Sequence, residues 1–288
     1  GEDLTYSLFT ESGGAATSAK DTEKDEPDVS LLQMGFSAYT SLFGGATGNA
    51  CSNAWAVSPR LSVGNATMIA NDPHLGTSFP SRFHIAVIKS PQWTVSGFTI
   101  PGIPVVLVGK NNNIAWTLTS LMSDGMDFYY ESLSLSDSTY MVKGEKRKLT
   151  LRSDTIRVRN GEDIIHNTVY THRGPVISDL HPGITHPANS NKIPKISVHW
   201  QAFSAHDDFS SFLNLNRASS LREAKSAFNG FSAPGLHVIA ADKNNIVSFC
   251  AATLPDFTGR RKPFIFDGTA ESGEWSDMAS VDDLPSSS

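Results

Sequence analysis

The sequence predicts a layered α+β or α/β sandwich. Three observations carry that expectation: short β-rich runs that recur from Ser52 onward, clusters of Gly, Pro, Asn and Asp between them, and two capped amphipathic segments after residue 206.

The runs follow in order. Residues 52–57 (SNAWAV) and 65–70 read as short strands, the second closed by the turn signals Asn71-Asp72-Pro73. Residues 84–89 and 93–100 form a strand pair around Ser90-Pro91-Gln92. Residues 104–108 and 114–119 flank Gly109-Lys110-Asn111-Asn112-Asn113. Further strands are expected over 150–159, 167–171 and 196–203. Asp207 or Asp208 can cap a helix that carries Phe209, Phe212, Leu213 and Asn216 on one face. Ser220-Leu221-Arg222-Glu223 is a capping box. It opens a helix with the apolar stripe Leu221, Ala224 and Phe228, which Gly230 can stop. A last strand pair, 238–241 and 246–251, surrounds Asp242-Lys243-Asn244-Asn245. No internal repeat is seen.

Before the strands, residues 11–30 are small, polar and charged and read as a disordered linker. Residues 31–50 regain some hydrophobicity, then end in a Gly/Ala/Asn-rich stretch.

Composition sets outer limits. The chain has 288 residues, of which 39% are hydrophobic and 18% charged, enough apolar material for a sizeable core. Net charge is −6, and there is no clustered Lys/Arg footprint of a nucleic-acid binder. No apolar run is long enough for a membrane span. The opening Gly1-Glu2-Asp3 is neither a methionine nor a signal peptide, so the chain reads as a fragment or one whose beginning was removed. Two cysteines far apart, Cys51 and Cys250, exclude a dense disulfide framework and a CxxC metal site.

From chemistry alone the function stays open. There is no GxSxG, no P-loop and no HExxH, and the nine histidines are scattered.

A resemblance adds what generic motifs do not. Ser52-Asn53-Ala54-Trp55-Ala56-Val57 resembles the start of the catalytic chain in the penicillin acylase family of N-terminal-nucleophile hydrolases. Similar blocks follow in the family's order: Gly64-Asn65-Ala66, Asn71-Asp72-Pro73-His74, Pro101-Gly102-Ile103-Pro104, Asn113-Ile114-Ala115-Trp116-Thr117, Asp124-Gly125-Met126-Asp127, Thr171-His172-Arg173-Gly174-Pro175-Val176, Ser232-Ala233-Pro234 and Ala241-Asp242. The resemblance covers residues 31–288.

It implies a four-layer αββα sandwich, here as a partial chain. Residues 1–51 would be spacer and the end of a preceding chain; residues 52–288 would be the first part of the catalytic chain. Family precursors cut themselves just before the serine, which makes Ser52 the nucleophile and its own freed α-amino group the base. Such a group has an ordinary pKa of roughly 7.7–8.0, close to working pH. His74 corresponds to a position beside the nucleophile, where it would orient the amine or the serine. The backbone N–H of Ser120 falls where the family has one oxyanion donor. The second donor is an asparagine side chain in the family, and here that place holds His237. An imidazole N–H can also donate. Asp124, the Met126 carbonyl and Asp127 match a calcium-binding segment; no organic cofactor is implied.

The implied activity is hydrolysis of linear amides: N-acyl side chains of β-lactams, acyl-homoserine lactones or related N-acyl compounds. The implied partner is the preceding small chain of the same precursor, and the implied location is periplasmic or secreted. Two departures, His237 and Cys51 (glycine is usual before the nucleophile), leave room for a non-catalytic binding relative. An acyltransferase using the same acyl-enzyme is a third reading.

Overall fold

A computed structural model describes residues 51–75, 79–178, 195–204, 206–255, 265–270, 273–275 and 278–287. Residues 1–50, expected to hold the linker and spacer, lie outside the described residues. In chain order the strands are β1 (Cys51–Val57), β2 (Met68–His74), β3 (His84–Lys89), β4 (Thr94–Thr99), β5 (Val108–Asn111), β6 (Ala115–Ser120), β7 (Met126–Glu131), β8 (Leu133–Ser134), β9 (Thr139–Val142), β10 (Glu145–Lys148), β11 (Thr150–Ile156), β12 (Ile164–Tyr170) and β13 (Lys195–Trp200). Two helices follow, α1 (Asp208–Arg217) and α2 (Leu221–Ser226). Then come β14 (Leu236–Ala241), β15 (Ile246–Ala251), β16 (Leu254–Pro255), β17 (Ile265–Asp267), β18 (Met278–Ala279) and β19 (Ser286–Ser287).

The organising element is a seven-stranded antiparallel sheet in the order β19-β15-β14-β6-β5-β4-β3. Alternation of side chains gives it two unlike faces. On one face Val95, Trp116, Val238, Ala240, Phe249 and Ala251 pack against Leu215, Ala224 and Phe228, which α1, α2 and the turn after α2 supply. Phe228 and Phe231 meet edge-to-face at 5.3 Å between ring centroids. The helices begin where the sequence places them. Asp207 accepts from the Ser210 N–H, and Ser220 accepts from the Glu223 N–H. Glu223 reaches back one residue beyond the expected partner, to the Ser219 N–H at 2.7 Å.

The opposite face carries Thr117, Thr119, Ile239, His237, Ser248 and Cys250. The β1–β2 hairpin lies on it, over β6 and β14. Its inward positions are small: Ser52, Ala54 and Ala56 are half-buried, whereas Asn53 and Trp55 are exposed. Helices, large sheet and hairpin are three of the layers the resemblance implies. Elsewhere β13-β7-β17 form a second sheet, with β17 parallel to β7, and β11–β12 form a separate hairpin.

Three expectations need correction. The strand expected over 104–108 forms instead at Val108–Asn111. Val106 has no strand partner there because the Asn216 side chain of α1 takes both its N–H and its C=O, each at 2.7 Å. The turn expected at Asn71-Asp72-Pro73 is part of β2. Pro73 is tolerated because, among the described residues, β2 pairs with β1 alone, so no ladder there needs its missing N–H on the other side. The calcium turn expected at residues 124–127 is half strand: Met126 and Asp127 open β7, paired with Trp200 and His199.

Candidate active site

Ser52 is the second residue of β1 and stands opposite Pro73 of β2. The hairpin's position on the sheet is set by side-chain bonds. Thr67 Oγ1 donates to the Lys243 carbonyl at 3.0 Å, which fixes one end near the β14–β15 turn. Midway, Asn71 donates to the Asn53 carbonyl at 2.8 Å and accepts from the Leu118 N–H at 3.1 Å. β5 has left β6 beyond Trp116, so that N–H is free of the ladder. Asn71 pairs with Ala54, so Ala54 and Leu118 lie at one level. Two residues further along each strand are Ser52 and Ser120. Alternation directs the Ser120 N–H to the same side as the Leu118 N–H. His237 is paired with Thr119, the residue before Ser120, and lies on the hairpin side of the sheet. The structure therefore gathers Ser52, Ser120 and His237 at one end of the hairpin–sheet stack.

A cavity of about 260 Å³ opens at that end. Ser120 lines it together with Met122, Met126, Trp200, Pro234 and Leu254, among other residues. The lining is a mixture of apolar groups and hydroxyls, as expected of a site for a small organic group.

His74 is placed differently from the other three. It stands opposite Cys51, and its ring bonds Asp72 at 3.0 Å and Asn53 at 3.5 Å. Asp72, Asn53 and His74 share the outward face of the hairpin, whereas the Ser52 side chain is on the inward one. His74 thus flanks the Cys51–Ser52 peptide, with its ring on the side away from the Ser52 hydroxyl.

Of the candidate metal ligands, Asp124 is exposed. Asp127 is buried and accepts from the Trp275 indole N–H at 2.6 Å. Among the described residues no group of three or more His, Cys, Asp or Glu is arranged to hold a metal ion. The oxygen donors at 124–127 suit calcium by type, but alone they fall short of its usual six to eight ligands.

Two features were not foreseen. The first is Ser248, whose Oγ lies 2.8 Å from His237 Nε2. A register counted from the Asp242–Asn245 turn would have placed it diagonally across from His237. The second is a buried polar cluster behind β7. Arg173 bonds Glu131 at 3.0 Å, the Gly268 carbonyl at 3.0 Å, and Glu274. Ser197 donates to Glu131 at 2.6 Å. Burial raises the Glu274 carboxyl, but Arg173 and His172 outweigh it and hold the group below its ordinary value. His199 stacks on Trp275 at 3.8 Å, and burial lowers its pKa to about 4.

No described helix is long and apolar enough to cross a membrane. The family model for penicillin amidase matches residues 2–288. The acyl-homoserine lactone acylase QuiP of Pseudomonas fluorescens (strain Pf0-1) is 29% identical over 202 residues, covering 69% of this chain and 24% of that protein. Aculeacin-A acylase of Actinoplanes utahensis is 26% identical over 214 residues, covering 71% of this chain and 26% of that protein. Among solved structures, a thermostable penicillin G acylase from Alcaligenes faecalis superposes with a TM-score of 0.68 at 24% identity, over 81% of this chain and 41% of that one. This last likeness shows the fold. The chain spans about a quarter of the length of the curated relatives it matches.

Proposed function

The chain belongs to the penicillin amidase family, and from that membership we propose that it supplies the nucleophile of an acylase that hydrolyses linear amides. The observation that carries the reading is the strand register, which sets Ser52, Ser120 and His237 at one end of the hairpin–sheet stack, where Ser120 lines a partly apolar cavity. Cleavage of the Cys51–Ser52 bond frees an α-amino group, and that group takes the proton of the Ser52 hydroxyl as it attacks the amide carbonyl. Negative charge develops on the carbonyl oxygen, and the Ser120 N–H and the His237 imidazole donate to it. The amine leaves with the proton, an acyl-enzyme remains, and water releases the carboxylic acid. His74, held by Asp72 and Asn53, flanks the bond that is cut and orients the new terminus.

The acyl group is apolar and enters the cavity beside Met122, Met126 and Leu254. The relatives' names speak of acyl-homoserine lactones, aculeacin A and penicillin G, so the substrate class is an N-acyl amino compound. The preceding chain of the same precursor completes the protein as a heterodimer. Calcium, held by Asp124, the Met126 carbonyl and Asp127 with a further acidic ligand, is a structural ion in this reading.

The test joins intact mass with turnover. Expected is a large chain that begins at Ser52, hydrolyses a chromogenic phenylacetyl or fatty-acyl amide, and loses both cleavage and turnover on Ser52→Ala. An uncut chain that still hydrolyses amides would sink the mechanism. A cut, folded protein without turnover would make it a binding relative.

A further inference from the structure

We propose that Ser248 is a positioning residue that locks His237 in the Nδ1–H tautomer and so turns an imidazole into a one-sided donor at the site. The proposal rests on the acylase reading for the use of that donor, but not for the tautomer itself.

The argument begins with register. β14 and β15 pair so that Ile239 faces Ser248 and His237 faces Cys250. Ser248 and His237 are therefore diagonal neighbours on the hairpin side of the sheet, within reach of a long side chain. The bond between Ser248 Oγ and His237 Nε2 is 2.8 Å, and both residues are half-buried. Two proton arrangements are compatible with that distance. In one, Nε2–H donates to Oγ. The serine hydroxyl proton then has no acceptor among the described residues, and Nδ1 is a bare acceptor. In the other, the hydroxyl donates to Nε2, and the groups left open are Nδ1–H on the ring and the lone pairs of the hydroxyl oxygen. Each arrangement makes one hydrogen bond, and the second is the stronger because the imidazole lone pair is a more basic acceptor than a hydroxyl oxygen.

The consequence is specific to a histidine at this place. An asparagine amide always carries N–H donors, so it needs no partner to serve an oxyanion. A neutral imidazole carries one N–H, and the wrong tautomer would present a lone pair to a developing negative charge. Ser248 removes that ambiguity by occupying Nε2 from the neighbouring strand.

Long-range nitrogen-15 spectroscopy of histidine-labelled protein reads the tautomer directly, with His237→Asn assigning the signal. Expected is a protonated Nδ1 and a bare Nε2 in the wild type. Ser248→Ala shifts the ring toward Nε2–H, and Ser248→Thr, which keeps the hydroxyl, restores Nδ1–H. Kinetics form the second arm. Ser248→Ala lowers kcat between about 10- and 1,000-fold, the upper end being the loss of a whole oxyanion donor. KM changes little, and threonine recovers the rate. An Nε2–H ring in the wild type, or a ring unchanged by Ser248→Ala, overturns the proposal. A switched tautomer with unchanged kcat overturns the donor's role. A correct tautomer in a wild type with no Ser52-dependent turnover is a separate result: it upholds the lock and rejects the acylase reading.

Discussion

Arg173 and Glu131 form an ion pair of 3.0 Å whose side chains are 1% and 0% exposed. Glu131 Oε2 and Arg173 Nε have no hydrogen-bond partner among the described residues, so the pair is shielded from water yet incompletely satisfied. Removing Arg173 strands the Glu131 charge in the interior, whereas removing Glu131 leaves Arg173 with Glu274 and the Gly268 carbonyl. Arg173→Ala should lower the unfolding free energy by about 3–5 kcal/mol, and Glu131→Ala by less. The double replacement Glu131→Ala with Arg173→Ala should cost clearly less than the sum of the two single changes. Urea unfolding of the four proteins checks the cycle.

Asn216 replaces a strand for Val106. Its amide takes the Val106 N–H and C=O at 2.7 Å each, and both residues are buried. Asn216→Ala leaves two buried backbone groups unpaired, at about 1–3 kcal/mol each. The expected loss is about 3 kcal/mol, with faster hydrogen exchange at the Val106 amide. Retained protection at that amide would contradict the assignment.

His199 predicts a pH dependence of definite sign. Burial lowers its pKa to about 4, and among the described residues Nδ1 has no partner. The unfolded chain titrates near the ordinary value of about 6.5, so between those limits it binds more protons than the folded one. Stability should therefore fall as pH drops from about 6.5 toward 4, and this contribution should level off outside that window. Above pH 6.5 the group contributes no slope. His199→Phe, which keeps a ring against Trp275, should flatten that part of a plot of denaturant midpoint against pH. An unchanged slope in the variant would assign the dependence to other groups.

Calcium binding at the start of β7 predicts a thermal shift. Added calcium should raise the midpoint of the wild type by mass action, and a chelator should reverse it. Asp124→Asn is the informative variant, because Asp124 is exposed whereas Asp127 also holds the Trp275 indole. The variant should unfold near the wild-type temperature without calcium and gain nothing from it. A wild type indifferent to millimolar calcium would remove the ion from the proposal.

Local signals made much of the fold legible. Residues 84–89 and 246–251 form strands over the expected ranges because each is an apolar run closed by turn residues. Asp207 and Ser220 cap the two helices because a cap needs only neighbours three residues away. What escaped depended on distant partners. Nothing near Asp127 or Glu131 in the sequence marks them as buried, yet alternation along β7 turns both inward, where Trp275 and Arg173 meet them from 148 and 42 residues away. At the site, motif order alone named Ser52, Ser120 and His237. The ring of His74 was not legible in the same way, because its direction depends on the pairing of Cys51 with His74.

Asn71 has a consequence for error. A hairpin that lies on a sheet of small and polar side chains could slip by one residue with little loss of packing. In a strand such a slip reverses every side chain, and Ser52 would turn to solvent while Asn53 took its place. One carboxamide that grips both Asn53 and Leu118 makes the slipped arrangement lose two hydrogen bonds at once. The chain thereby carries its own proofreading of where the serine ends up, in a residue that has no chemistry to perform.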